Sequence, residues 1–215
     1  MRYFSLGSTA LEVSEISLGC GCINTLNIPA ATELLGCALD AGINLFDHAD
    51  AYGGRSEEVF AEAIGSRPSM RDMIILQSKC AICSLDTPDN YYDRSREHIL
   101  ASVPGILRRL KTDCLDILTL HRPYALIEPE EVAKAFGILH REGKVRYFGV
   151  SNFNRFHLEL LEKYVGQNSV VNQVQFSPAH TPMIDAGLNV NMTNGEAVLC
   201  DGGTIECCRP HGISP

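Results

Sequence analysis

No stretch of the 215 residues approaches 18 consecutive apolar side chains, the length a membrane-crossing helix needs. Residues 1–9, MRYFSLGST, hold one Arg and no apolar run behind it, so no secretion leader is expected. Basic residues are in deficit, with 18 Lys and Arg against 26 Asp and Glu, a net charge of -8 and a pI near 5.3. That balance argues against nucleic acid as a partner, because phosphate binding needs a basic patch. The nine cysteines are odd in number and lie mostly in apolar segments, as at Cys37, Cys114 and Cys200. A disulfide framework is not expected, and reduced thiols in a cytoplasmic protein are. Only one Cys-x-x-Cys pair occurs, Cys80 and Cys83, beside Cys20-Gly21-Cys22. Without a second pair no metal site is expected. The sequon Asn191-Met192-Thr193 has no meaning without a leader. Linkers, low-complexity tracts and charge blocks are absent too, so residues 1–215 are expected to form a single domain.

What is present is an ordinary globular composition, 45% apolar and 20% charged. Residues 2–14 alternate around Gly7-Ser8-Thr9 and predict a short hairpin. From Ile16 onward short apolar runs alternate with longer segments of helical period. The predicted strands are Ile16–Gly21, Ile43–His48, Met73–Lys79, Cys114–His121, Val145–Asn152 and Val170–Phe176. The predicted helices between them are Ala31–Ala41, Ser56–Gly65, Asp93–Leu110, Pro129–Arg141 and Asn154–Tyr164. In the third helix Ile99, Leu100, Val103, Ile106, Leu107 and Leu110 form one stripe. Gly42, Gly65 and Gly143 follow helices as C-terminal caps do. Residues 178–203 read as a long loop. Alternation of β and α segments argues for a parallel sheet, without separating an open sheet from a barrel.

In a parallel α/β barrel catalytic groups cluster at the C-terminal ends of the strands. Here polar or ionisable residues close five consecutive runs: Asp47 with Tyr52 just beyond it, Lys79, His121, Ser151-Asn152, and Gln173 beside Asn172. Tyrosine is a poor acid, with an ordinary pKa of about 10. A neighbouring Lys ammonium favours the phenolate, and an Asp keeps that ammonium charged and oriented. A His can donate to a carbonyl oxygen. The set describes a tuned general acid that protonates an oxygen as hydride reaches carbon. None of these side chains is a hydride source, so a cofactor is required.

Phe46-Asp47-His48-Ala49-Asp50-Ala51-Tyr52-Gly53, followed by Glu57-Glu58, resembles the signature of the aldo-keto reductases. Lys79, and His121 within Leu118-Thr119-Leu120-His121-Arg122, match the rest of that family's tetrad. Residues Gly143 to Phe153 and Asn172 to Phe176 are similar to its later motifs. The resemblance implies a TIM (β/α)8-type barrel preceded by an N-terminal β-hairpin. It implies an oxidoreductase that reduces an aldehyde or ketone, or oxidises the alcohol, with NADP(H) as the expected cofactor and NAD(H) as the alternative. Tyr52 would be the proton donor, Lys79 and Asp47 would tune it, and His121 would orient the carbonyl. Ser151, Asn152 and Gln173 would hold the nicotinamide, and Gly19, Cys20 and Asp47 would approach the cofactor.

The chain departs from the family in length. About six βα units are present, and His211-Gly212-Ile213 reads as the lead into a seventh strand before Ser214-Pro215. A barrel lacking strands seven and eight would also lack the aromatic that stacks on the nicotinamide and the basic loop that grips the adenine end. Its two open edges would invite self-association. A second reading therefore stands beside the enzyme: a truncated, non-catalytic member acting as a binding module or an inactive remnant. Singly, each residue has a structural reading as well, and Ser151-Asn152 could cap the following helix. Gly19 to Asn24 opens like a dinucleotide-binding fingerprint but lacks its third glycine.

Overall fold

The computed structural model describes residues 1–65, 68–84, 90–188 and 202–215. Strands β1 (Tyr3–Ser5) and β2 (Glu12–Ser14) pair antiparallel as the expected hairpin. Six parallel strands follow in one sheet: β3 (Leu18–Gly19), β4 (Leu45–Asp47), β5 (Ile75–Cys80), β8 (Leu115–Leu120), β9 (Val145–Ser151) and β10 (Asn172–Gln173). Their spatial order follows the chain order, with β3 at one edge and β10 at the other. The connections are helices α1 (Ile28–Asp40), α2 (Arg55–Gly65), α3 (Arg96–Leu110), α4 (Pro129–Arg141) and α5 (Arg155–Glu162). The result is an α/β sheet curled as part of a barrel. An incomplete TIM barrel fits it.

Period-two alternation decides which side chains face inward. Phe46, Leu76, Leu118 and Phe148 point outward and pack under the helices with Ile99, Val103, Ile106, Phe136 and Leu158. Leu45, Ile75, Ile117 and Tyr147 point the other way and meet Leu6 and Val13 of the hairpin, which plugs the barrel floor. The upper inward positions are polar: Asp47 stands opposite Gln77, Lys79 opposite Thr119, and Ser151 opposite Gln173.

Local signals account for the helix ends. Asn27 caps α1 by accepting from Ala30 N, Ser95 caps α3, and Asn154 caps α5. The capping role considered for Ser151-Asn152 therefore belongs to Asn154. Gly42 and Gly143 take positive φ just beyond α1 and α4, whereas Gly65 is the last helical residue of α2 and is not among the positive-φ glycines.

The structure differs from the sequence expectation in three places. The first and sixth strands of the sheet are two residues each and lie at its ends. A second hairpin, β6 (Ile82–Ser84) with β7 (Asn90–Tyr92), was not expected. The stretch read as a loop over 178–203 contains helix α6 (Pro182–Leu188), whose Pro182 stands where a missing N–H costs nothing. Asn191 and Cys200 lie outside the described residues. Near the end, α7 (Thr204–Cys208) leads to Ser214, which bridges Val171 in parallel: its N–H donates to Val170 O at 3.0 Å and its carbonyl accepts from Asn172 N at 2.9 Å. A seventh strand thus begins to pair beside β10.

Candidate active site

The polar side chains meet at the C-terminal rim of the sheet. Asp47 ends β4 and Lys79 lies near the end of β5, and both are buried. The Lys79 ammonium donates to both carboxylate oxygens of Asp47, at 2.7 and 2.6 Å, and to His48 O at 3.0 Å. Two amides complete the shell around Asp47. Gln77 Nε2 donates to Oδ1 at 2.8 Å and Gln173 Nε2 donates to Oδ2 at 3.0 Å. A buried ion pair is tolerable only when its remaining lone pairs are met in this way.

Tyr52 lies on a short 3-10 turn, Asp50–Tyr52, stopped by left-handed Gly53. Its half-buried ring sits 5.4 Å from the Lys79 ammonium, measured to the ring centroid. A Cβ on Gly21 would come within 3.4 Å of Tyr52 Cζ, so the bare backbone of Gly21 forms one wall for the ring. His121 follows β8 and meets the Tyr52 ring edge-on, with centroids 6.2 Å apart at 89°. Burial, helped by the Lys79 and Arg122 cations, pushes the His121 imidazole down to about 4, so it is neutral near pH 7. Its Nδ1 is buried with no hydrogen-bond partner among the described residues.

Ser151, Asn152 and Gln173 form a second cluster beside this one. Ser151 Oγ donates to Gln173 O at 3.1 Å, and Asn152 Nδ2 donates to Ser151 Oγ at 3.1 Å. Asn152 holds a left-handed backbone, φ 57°, and its Oδ1 accepts from Gln175 N at 3.1 Å. Asn172 points away into the core, where its amide pairs with the backbone of Phe153.

Gly19 stands in register with Asp47 and is exposed, with open space where a Cβ would be. Cys20 donates its N–H to Asp47 O at 2.8 Å, but its thiol is buried and turned to Leu18 O. Burial pushes that thiol up to about 12, so Cys20 offers the rim its backbone and not its sulfur. The structure therefore gathers Asp47, Tyr52, Lys79 and His121, and sets Ser151, Asn152 and Gln173 next to them. Sequence reading missed Gln77 and Gly21. The signal for Gln77 was its place two residues before Lys79 on one strand, hence on the same face.

A curled parallel α/β sheet with polar groups at its strand ends is the arrangement of the barrel folds whose sites lie at that rim. The Aldo/keto reductase family model matches residues 15–191, and the chain belongs to that family. It is 40% identical over 190 residues to the uncharacterized oxidoreductase YcsN of Bacillus subtilis, covering 84% of this chain and 63% of that protein. It is 33% identical over 191 residues to a 6-dehydroglucose reductase of Novosphingobium aromaticivorans, covering 85% of this chain and 62% of that one. Among solved structures, aldo-keto reductase AKR11C1 from Bacillus halodurans in its holo form superposes on all of this chain and 64% of its own, with a TM-score of 0.80 and 27% identity. The chain thus spans somewhat under two thirds of the length of each of these three proteins. No helix among the described residues is long and apolar enough to cross a membrane.

Proposed function

We propose that the protein is a nicotinamide-dependent carbonyl reductase in which Tyr52 donates the proton. The observation that carries this reading is the buried Asp47–Lys79 pair beside the Tyr52 ring, with the neutral His121 edge-on to the same ring. Lys79 favours the phenolate that remains after transfer, and Asp47 keeps the ammonium in place. A neutral His121 carries one ring proton. With Nδ1 buried and unpartnered, Nε2–H is the donor left to meet a carbonyl oxygen and hold it toward Tyr52. Such a buried ion pair would be a costly relic in a chain with no chemistry to perform, which favours this reading over a non-catalytic module.

The residues present fit a nicotinamide. A carboxamide needs a donor and an acceptor, and Asn152 Nδ2 and Gln173 Oε1 offer both from neighbouring strands. Among the described residues Gln173 Oε1 is otherwise engaged only by a long 3.4 Å contact from Gln77. Ser151, Asn152 and Gln173 would hold the ring, with Gly19 and the Cys20 backbone on the approach. The reduced nicotinamide supplies the hydride. NADP(H) is the cofactor proposed, following the family, with NAD(H) as the competitor in the same assay.

The substrate class proposed is a small aldehyde or ketone, including an oxidised sugar of the kind named in the 6-dehydroglucose reductase relative. The test is NADPH binding by calorimetry, then NADPH-linked reduction of such a panel. Tyr52→Phe should lower kcat by about a hundredfold or more, the scale of a lost general acid, with cofactor affinity unchanged. Retained turnover in Tyr52→Phe would remove Tyr52 from the role.

A further inference from the structure

A buried arginine outside the tetrad, Arg94, reaches the loop that follows His121. A catalytic imidazole is usually oriented through its second ring nitrogen, which donates to a carboxylate or a carbonyl. That device is missing here, since His121 Nδ1 is buried without a partner among the described residues. The His121 backbone is pinned to the sheet by its N–H, which donates to Cys80 O at 3.0 Å. Beyond that bond the chain leaves the sheet through Arg122, Pro123 and Tyr124.

Arg94 reaches this segment from the other side. It stands just before the cap of α3, where Asp93 Oδ1 accepts from Ser95 N at 2.9 Å and Ser95 Oγ accepts from His98 N at 3.2 Å. Its backbone mount is therefore rigid. Its side chain is buried, 6% exposed. Nε donates to Arg122 O at 3.0 Å, and Nη2 donates to Arg122 O and to Pro123 O, the latter at 3.3 Å. The guanidinium also stacks over two rings, 4.9 Å from the Tyr92 centroid and 5.1 Å from that of Tyr124. No carboxylate forms an ion pair with it among the described residues, and burial lowers its pKa. A buried cation held only by carbonyls and ring faces is expensive. Its return is geometric, because a planar fork can grip two carbonyls while stacking on aromatic faces, and an ammonium cannot.

We propose that Arg94 is a positioning residue, which clamps the carbonyls of Arg122 and Pro123 and so fixes the aim of His121 at the reacting carbonyl. The proposal rests on the reductase reading of the rim. Its charge also adds to the cations that disfavour a protonated His121.

The experiment uses the full chain as wild type, Arg94→Lys and Arg94→Met, labelled at histidine. The His121 ring is followed by NMR, assigned with a His121→Asn variant and titrated with pH. NADPH affinity and kcat are measured on the same samples. Both variants should keep NADPH affinity within about twofold and lose about tenfold or more in kcat, the scale of a displaced catalytic group. The His121 ring resonances should shift in both, and in Arg94→Met the titration should move upward, since one of the cations that depress it is gone. A folded variant with unchanged His121 resonances and unchanged kcat would overturn the proposal. If Arg94→Met does not fold, Arg94→Lys, which keeps the cation and the stem, decides alone. A wild type that binds NADPH but turns nothing over would defeat the reductase reading, while the His121 resonances would still decide the clamp.

Discussion

Lys79 and His48 show how much of the rim's chemistry is also stability. Lys79 is the one cation within reach of Asp47 among the described hydrogen bonds and ion pairs. Lys79→Met would leave a buried carboxylate held by two amides only. It should cost roughly 3–5 kcal/mol of unfolding free energy, read by urea denaturation. His48 is fully buried against Phe60, and burial pushes it down to about 4. The unfolded chain takes up a proton near pH 6.5 that the folded His48 refuses. Its contribution is whole above that pH and is lost as the pH falls toward 4. Over that interval the loss is roughly 3 kcal/mol. Asp50, raised to about 7 by burial, acts with the opposite sign, its folded form resisting ionisation as the pH rises. Comparing wild type with His48→Leu isolates the histidine: the wild type should lose ground to the variant as the pH drops from 7 to 4. Parallel pH profiles would refute the assignment.

Among the elements, α3 carries a visible fault. Pro104 sits inside the helix, where it removes a backbone hydrogen bond. Pro104→Ala should stabilise the protein by up to about 3 kcal/mol, seen as a higher melting temperature. No gain would mean the helix is already bent to suit the proline. The elements were legible in unequal measure. The stripe in α3 and the apolar run of β8 announced themselves because each is long and one-sided or wholly buried. The β6–β7 hairpin did not, since Ile82 to Tyr92 lacks both a full alternation and a two-residue turn signal. Helix α6 was hidden by the turn-forming residues around it. Gly149 marks a contact no pattern reveals: a Cβ there would lie 2.5 Å from Val171 Cγ1, so β9 and β10 approach over a bare backbone.

At the scale of the whole molecule the sheet has an open edge at β3 and another at β10 that only the Ser214 bridge begins to cover. The interior cavity of about 330 Å3, lined by Phe4, Leu45, Gln77, Gln173 and Phe176 among others, lies between them. Strands β5 and β8 bond on both sides and bury every residue, whereas β3 and β10 are sheet edges. Amide exchange should follow that order, slowest in β5 and β8 and fastest in β3, with β10 between them because Asn172 N donates to Ser214 O. Uniform protection across the sheet would show that the edges are covered in solution.

The sequence by itself determined the βα alternation and the chemistry of the strand ends, because strand period and residue type are local properties. Asp47, Tyr52, Lys79 and His121 could be named from it, with Ser151, Asn152 and Gln173 beside them. Only the tertiary structure decided that Gln77 and Gln173 both turn to Asp47, that Cys20 turns its sulfur away, and that Arg94 crosses to the loop after His121. These contacts join residues tens of positions apart, and they exist only once the curl of the sheet has brought the strand ends round to face one another.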